Sequence, residues 1–277
     1  MVKGKLNKPI ETSEKDRTDY RTVTELSGEK VSQEQVERIY QRYYWADIYC
    51  RNKSVLEVAC GSGQGIGYLG DSADSFTGGD ISEDILTLAN ATYKGKARLC
   101  CFDAQALPFQ SHSQDIVLLF EAIYYLPNVK QFLKECRRVL CDRGELLIVT
   151  ANKDLYDFNP SPYSHTYYGV VEMSRLLRKF SFQVTAYGSW SVKKLRLRQK
   201  FLRLVKKLAV SLNLIPKTMA GKQILKRLVF GKLLAMPTRI EAKFYDYHPP
   251  VLLPLHLPCK DQKVLFFRAV KTEASSS

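Results

Sequence analysis

The stretch that most limits what this chain can become is Val55-Leu56-Glu57-Val58-Ala59-Cys60-Gly61-Ser62-Gly63-Gln64-Gly65. A short apolar run enters a loop dense in glycine, and a helix is expected to follow. Glycine is required where a backbone turns tightly or where a ligand comes too close for a Cβ. The start of the next helix adds unpaired amide donors. A strand, loop and helix in that order point to a nucleotide-like ligand.

Spacing narrows the ligand. A dinucleotide fingerprint needs G-x-G-x-x-G. Counted from Gly61 the third glycine falls on Ile66, and counted from Gly63 it falls on Tyr68, so the fingerprint fails in both registers. The pattern that fits is acidic-x-small-x-Gly-x-Gly, set by Glu57, Ala59, Gly61 and Gly63. A carboxylate at the strand end repels a pyrophosphate and pairs, directly or through water, with a cationic amino-acid group. The expected ligand carries an ammonium and an adenosine, and no diphosphate.

The rest of the chain alternates strand and helix. Strands are expected at 54–58, 75–79, 97–101, 115–120, 145–150, 182–187 and 263–270. A helix is expected over 32–50 from Val36, Ile39, Tyr40 and Tyr43. Two more have one apolar face each: Val129, Phe132, Leu133, Cys136 and Leu140, then Met173, Leu176, Leu177 and Phe180. Alternation of this kind implies a parallel sheet covered on both faces. Residues 1–30 read as a mobile polar arm and 273–277 as a disordered tail.

At the glycine-rich turn the chain resembles the class I S-adenosylmethionine-dependent methyltransferases, in the type 11 branch acting on small molecules, lipids and saccharides. The resemblance spans roughly 36–188 plus the final strand. It implies a doubly wound, Rossmann-like α/β fold with a seven-stranded, mostly parallel sheet and an antiparallel last strand, built from 31–190 and 241–272. It implies S-adenosylmethionine as cofactor. Ala59 stands where the family usually has a first glycine. Asp80 follows Glu57 by 23 residues, where doubly wound folds hold ribose hydroxyls. Its other reading, a helix N-cap, is weakened because Ser82 caps that helix better. Asp103 and Ala104 correspond to the pair that meets the adenine, or form a plain turn before Pro108. Phe102 and Ile81 are candidates for the ring faces. Arg42 and Tyr43, on the helix that lies over the cofactor, and Glu121, after the fourth strand, complete the expected cofactor set.

For catalysis the expected residues are His165, Tyr124 and Tyr125. Relatives often carry a His near position 125 and this chain does not, so the loop 159–168 is where a base is expected. His165 either acts as that base or fastens the loop by hydrogen bonds. The Asn/Asp-Pro-Pro-Tyr signature of nucleobase amine methylation is absent. His112, His248 and His256 form no metal-ligand spacing, and the seven cysteines no CxxC pair, so no metal is expected.

Charge sets one segment apart. Residues 191–240 hold 14 Lys/Arg and no acid, while the remaining 28 bases and 28 acids balance. The net +14 is therefore local, a device for meeting something negative. Helical patterns run over 197–212 and 220–234. The segment reads as a lid, as a contact with an anionic membrane surface, or as a nucleic-acid grip. The last is disfavoured by the scarcity of aromatic stacking platforms. No stretch is long and apolar enough to span a membrane. The first twenty residues lack an apolar leader core, so a cytoplasmic protein, peripheral to the membrane if the segment docks, is expected. The function implied is methyl transfer to a small-molecule, lipid-linked or saccharide acceptor. An RNA or protein methyltransferase gripping its substrate through 191–240, and a non-catalytic cofactor-binding module, are the alternatives.

Overall fold

The computed structural model describes residues 24–192 and 233–273. The helical patterns expected within 193–232 lie outside the described residues, as do residues 1–23 and 274–277.

The first long helix, α1 (Gln33–Cys50), starts at a reciprocal cap. Ser32 Oγ accepts from the Gln35 N–H, and Gln35 Oε1 accepts from the Ser32 N–H. Its second half is buried almost all round, from Gln41 to Asp47. One side lies on the sheet. The other is covered by residues 241–248, with Tyr44 Oη donating to the Glu241 carbonyl at 2.7 Å and Gln41 Nε2 to the Asp246 carbonyl at 2.6 Å.

The sheet follows from alternation of strands and helices. Its strands are β2 (Ser54–Val58), β3 (Ser75–Asp80), β4 (Arg98–Cys101), β5 (Gln114–Phe120), β6 (Leu140–Ala151), β7 (Phe182–Ser191), β9 (Val251–Leu253) and β10 (Gln262–Lys271). They lie in the order β4-β3-β2-β5-β6-β10-β7-β9. The first five run parallel, and β10 inserts antiparallel between β6 and β7. Seven strands were expected. Val251–Leu253 adds an eighth at the edge, pairing antiparallel with β7. Three residues flanked by prolines give too short a pattern to register as a strand, and only the neighbouring edge holds them extended.

Helices α1, α2 (Ile66–Gly70) and α3 (Glu83–Tyr93) contribute to the core on one face of the sheet, and α4 (Val129–Val139) and α5 (Val170–Lys179) to the core on the other. Both cores are aliphatic and aromatic, with Ile39, Trp45, Leu69 and Phe266 in one and Phe132, Leu133, Met173 and Phe267 in the other. The order of connections reverses at β2, between β3 and β5, and a crevice opens at the carboxyl ends of the strands there.

A second, two-stranded sheet pairs β1 (Lys30–Val31) with β8 (Leu234–Ala235). Leu234, expected as the last residue of a helix, is therefore in a strand. Residues 24–30, the end of the segment read as a mobile polar arm, are held in place by this pairing and by Gly28 N–H to Met236 O at 2.8 Å. The pairing partner lies about two hundred residues away in the chain, which explains why nothing local announces it.

Candidate functional site

A cavity of about 450 Å³ occupies the crevice. Its floor is the glycine-rich turn. Ala59 and Gly61 have φ of +55° and +56°, a left-handed backbone that costs an alanine about 1–2 kcal/mol relative to glycine. The turn brings the Gly61 N–H to Asp80 Oδ2 at 3.0 Å. Gly65 is needed for close approach: a Cβ there would sit 1.9 Å from the Tyr43 ring. Gly63 does not line the cavity. A Cβ on it would meet Ile66 Cδ1 at 2.8 Å and Ala89 Cβ at 3.0 Å, so this glycine lets the helices pack.

Glu57 ends β2 and is 1% exposed. Its Oε1 accepts from Tyr43 Oη at 2.7 Å, while Oε2 has no hydrogen-bond partner among the described residues. Burial pushes its pKa up to about 7, against the pull of the Tyr43 hydrogen bond and the Arg42 charge. Burial and the neighbouring Glu57 raise the Tyr43 phenol, so it stays a donor. A buried carboxylate oxygen without a partner is a costly arrangement. It suits a cationic ligand group.

Asp80 ends β3 and is buried. Its Oδ1 accepts from the Ser82 N–H at 3.0 Å, and Ser82, not Asp80, caps α3 through its own hydroxyl. Each Asp80 oxygen keeps a further lone pair. Burial raises its pKa, partly offset by the two amides. Asp103 Oδ1 accepts from the Gln105 N–H at 2.8 Å, and Ala104 and Phe102 are buried beside it. Ile81, half exposed, also lines the cavity.

The other side of the cavity carries more charge. Arg42 is 7% exposed and pairs with Glu25 at 2.7 Å. Burial disfavours its charge, but Glu25, Tyr43 and Glu121 more than reverse this and hold it ionised. Glu121 has a left-handed φ of +51° and accepts from Tyr124 Oη at 3.1 Å. Burial raises its pKa, opposed by Arg42. Tyr124 stacks on Tyr167 with ring centroids 4.3 Å apart, and Tyr125 meets Ser161 at 2.6 Å. These rings make an aromatic wall.

Of the expected site residues, Arg42, Tyr43, Glu57, Ala59, Gly61, Asp80, Ile81, Asp103, Ala104, Glu121, Tyr124 and Tyr125 line this one cavity. His165 does not. Its side chain is exposed, and its main-chain N–H donates to the Tyr124 carbonyl at 2.7 Å, so it fastens the loop. From the same loop it is Ser161 that lines the cavity. Among the further lining residues are Thr24, Glu25, Gln35, Arg38 and Ser161. Gln35, Arg38 and Arg42 form a polar stripe three and four residues apart, a signal present in the sequence. Glu25 has no such local sign; the contacts that place it are Gln64 Nε2 to the Glu25 carbonyl at 2.6 Å and Ser27 Oγ with Ser62 Oγ at 3.1 Å.

Comparison with known proteins agrees with this geometry. The methyltransferase domain family of type 11 matches residues 56–148, the segment carrying Glu57, Asp80, Asp103 and Glu121. The match supports a class I S-adenosylmethionine-dependent methyltransferase. A Mycolicibacterium smegmatis protein named "probable S-adenosylmethionine-dependent methyltransferase" is 29% identical to it over 60% of this chain and 65% of its own length. A Mycobacterium ulcerans protein named phthiotriol/phenolphthiotriol dimycocerosates methyltransferase 1 is 38% identical over 34% of this chain and 36% of its own. The chain thus spans less than two thirds of these curated relatives. In fold it is similar to an S-adenosylmethionine-dependent methyltransferase from Archaeoglobus fulgidus, with a TM-score of 0.55, 16% identity, and coverage of 87% of this chain and 95% of that one. Among the described residues no cluster of His, Cys, Asp and Glu could hold a metal ion, and no helix is long and apolar enough to cross a membrane.

Proposed function

We propose that this chain transfers a methyl group from S-adenosylmethionine to a small-molecule, lipid-linked or saccharide acceptor by in-line displacement. The observation that carries this reading is Glu57, buried beside the glycine turn with one carboxylate oxygen unpaired. An ammonium satisfies that oxygen, and a diphosphate is repelled by it. Asp80 offers its spare lone pairs to ribose hydroxyls, Asp103 and Ala104 face the adenine edge, and Phe102 with Ile81 flank its ring. Arg42 and Tyr43 close over the methionine end. When bound, S-adenosylmethionine supplies a sulfonium-activated methyl group whose positive charge is lost on transfer.

The chain's own residues then need to align the acceptor and exclude water. For a hydroxyl acceptor a proton must be taken up. Glu121, with its raised pKa and Tyr124 at hydrogen-bond distance, is the acceptor for that proton, in place of His165. Tyr125 and Ser161 orient the acceptor against the aromatic wall. A lipid-linked acceptor is supported by the name of the Mycobacterium ulcerans relative and by the basic segment 191–240, which we read as a contact with an anionic membrane surface.

Calorimetry tests the donor half. The ionised form of Glu57 binds the cation, so affinity for S-adenosylmethionine should rise as pH climbs through about 7 and level off above it. Below that range binding should release a proton to the buffer, and Glu57→Gln should abolish both effects. Binding of a pyridine dinucleotide without S-adenosylmethionine overturns the reading. Transfer of labelled methyl groups from the donor into the lipid extract of cells supports the acceptor class. Label in the RNA or protein fraction instead would reassign it.

A further inference from the structure

We propose that the apolar edge made by Phe244, Tyr247 and Leu252 is the surface that seats this protein on an anionic lipid bilayer. The inference rests on the lipid-facing part of the proposed function and gives it a place in the fold.

Ten large apolar side chains are exposed among the described residues, and five of them fall within 244–257. Leu252 is 70% exposed and Phe244 58%. A cluster of that kind marks an interaction surface, whereas scattered single residues do not. The exposure is built in by the backbone. The Phe244 N–H donates to Tyr44 Oη at 3.1 Å, the His248 N–H to Gln41 Oε1 at 2.8 Å, and Gln41 Nε2 to the Asp246 carbonyl. Helix α1 thus satisfies the polar main chain of the loop. The Phe244 ring stacks on Tyr40 at 5.1 Å, and Tyr247 sits edge-on to Tyr44 at 6.5 Å, with the rest of both rings facing solvent.

Leu252 belongs to the same side. It pairs across the strands with Tyr187, which packs against the core shared with α1, while Leu253 packs against the opposite core. Directly opposed residues in an antiparallel pair share a face. Phe244, Tyr247 and Leu252 therefore project on one side of the sheet edge, with aromatic rings of the kind that settle at a headgroup boundary.

Charge complementarity decides the partner. The chain leaves the sheet at Ser191, the end of the strand that carries this edge, and the next forty residues, 193–232, hold 13 Lys/Arg and no acid. Each base near an anionic leaflet contributes roughly 1 kcal/mol, and stable attachment needs an apolar signal together with a basic one. In the sequence the basic segment follows directly on that strand. Trp190, at the end of that strand, lies under Arg38 at 5.6 Å, and Arg38 lines the main cavity. A bilayer on this edge adjoins the wall of the cavity that faces the acceptor.

The test uses the full chain with vesicles of phosphatidylcholine, alone or mixed with phosphatidylglycerol. The wild type should co-sediment with the mixed vesicles and be released by salt. The Phe244→Glu/Leu252→Glu double variant should lose at least tenfold in partitioning, whereas Leu88→Glu, on the exposed face of α3, should not. A Phe244→Trp variant should be quenched by brominated lipid in mixed vesicles, which keeps the test alive if the double variant misfolds. Equal binding by the folded double variant, or no quenching, overturns the proposal. So does a wild-type dimer in sedimentation velocity that the double variant loses, since a second copy would then cover the edge. Absence of any vesicle binding overturns both this inference and the reading of 191–240. Calorimetry with S-adenosylmethionine on the double variant keeps the methyltransferase reading separate, because none of these residues lines the cavity.

Discussion

The two halves of the cavity are made in different ways. The half containing Glu57, Asp80 and Asp103 comes from three consecutive strand ends, each contributing a loop of a few residues. The half containing Glu25, Arg42, Glu121 and Ser161 comes from segments scattered over more than 130 residues, and Glu25 is held there by contacts of its segment with the glycine turn and by the pairing of β1 with β8. In the first half the geometry is set by backbone conformation close to each residue. In the second it depends on contacts between distant parts of the chain. A substitution in the first should therefore act on ligand affinity, and one in the second on whether the wall stays assembled.

Asp80→Ala gives the largest effect and the sharpest test of this contrast. It removes the acceptor for two main-chain N–H groups at the turn as well as the one proposed for the ribose, and S-adenosylmethionine should bind at least tenfold more weakly in calorimetry, about 1.4 kcal/mol. Unchanged affinity would remove Asp80 from the donor half. Glu25→Ala should come next. It leaves Arg42 buried without its ion-pair partner, and because Glu25 is itself partly exposed the loss should be modest, about 1 kcal/mol of stability in urea unfolding. An unmoved unfolding midpoint would show that residues 24–31 are not held through this pair. His165→Ala should do least. An exposed side chain whose residue acts through its main-chain N–H should change stability by under about 0.5 kcal/mol, and labelled methyl transfer into lipid extract by less than about twofold. A large fall in transfer would restore His165 as the base and sink the assignment of Glu121.

The strap formed by 24–31 also explains the burial of Arg42 on α1. An amphipathic helix has one apolar face, and the sequence of α1 shows one. Its polar stripe, Gln35, Arg38 and Arg42, would face water on an isolated helix. Here it faces a cavity roofed by Glu25 and Thr24, with Gln64 and Ser62 of the glycine turn fastening the roof.

Legibility followed the range of the interactions. Strands 54–58 and 182–187 were placed at or within their observed bounds, because runs of β-branched and apolar residues report a buried strand from a few neighbours. The turn at 57–63 was readable because left-handed backbone and close approach restrict residue type wherever they occur. Gly63 shows the ambiguity that remains: glycine records the absence of space for a Cβ without saying whether a ligand or Ile66 takes it. For His165 the two readings offered were a base and a fastening of the loop. Its exposed side chain and main-chain hydrogen bond to Tyr124 favour the second, a distinction residue type alone does not make.

Local chemistry in the amino-acid order was enough to specify the covered parallel sheet, the carboxylates at the strand ends and the uneven distribution of charge, since each depends on residues near one another or on composition alone. The eighth strand, the roof over the cavity, the partner of Arg42 and the exposed edge at Phe244 and Leu252 were set by folding. Each of these joins segments separated by seventeen to about two hundred residues, and a contact closed over such a loop leaves no periodic trace in the sequence on either side of it.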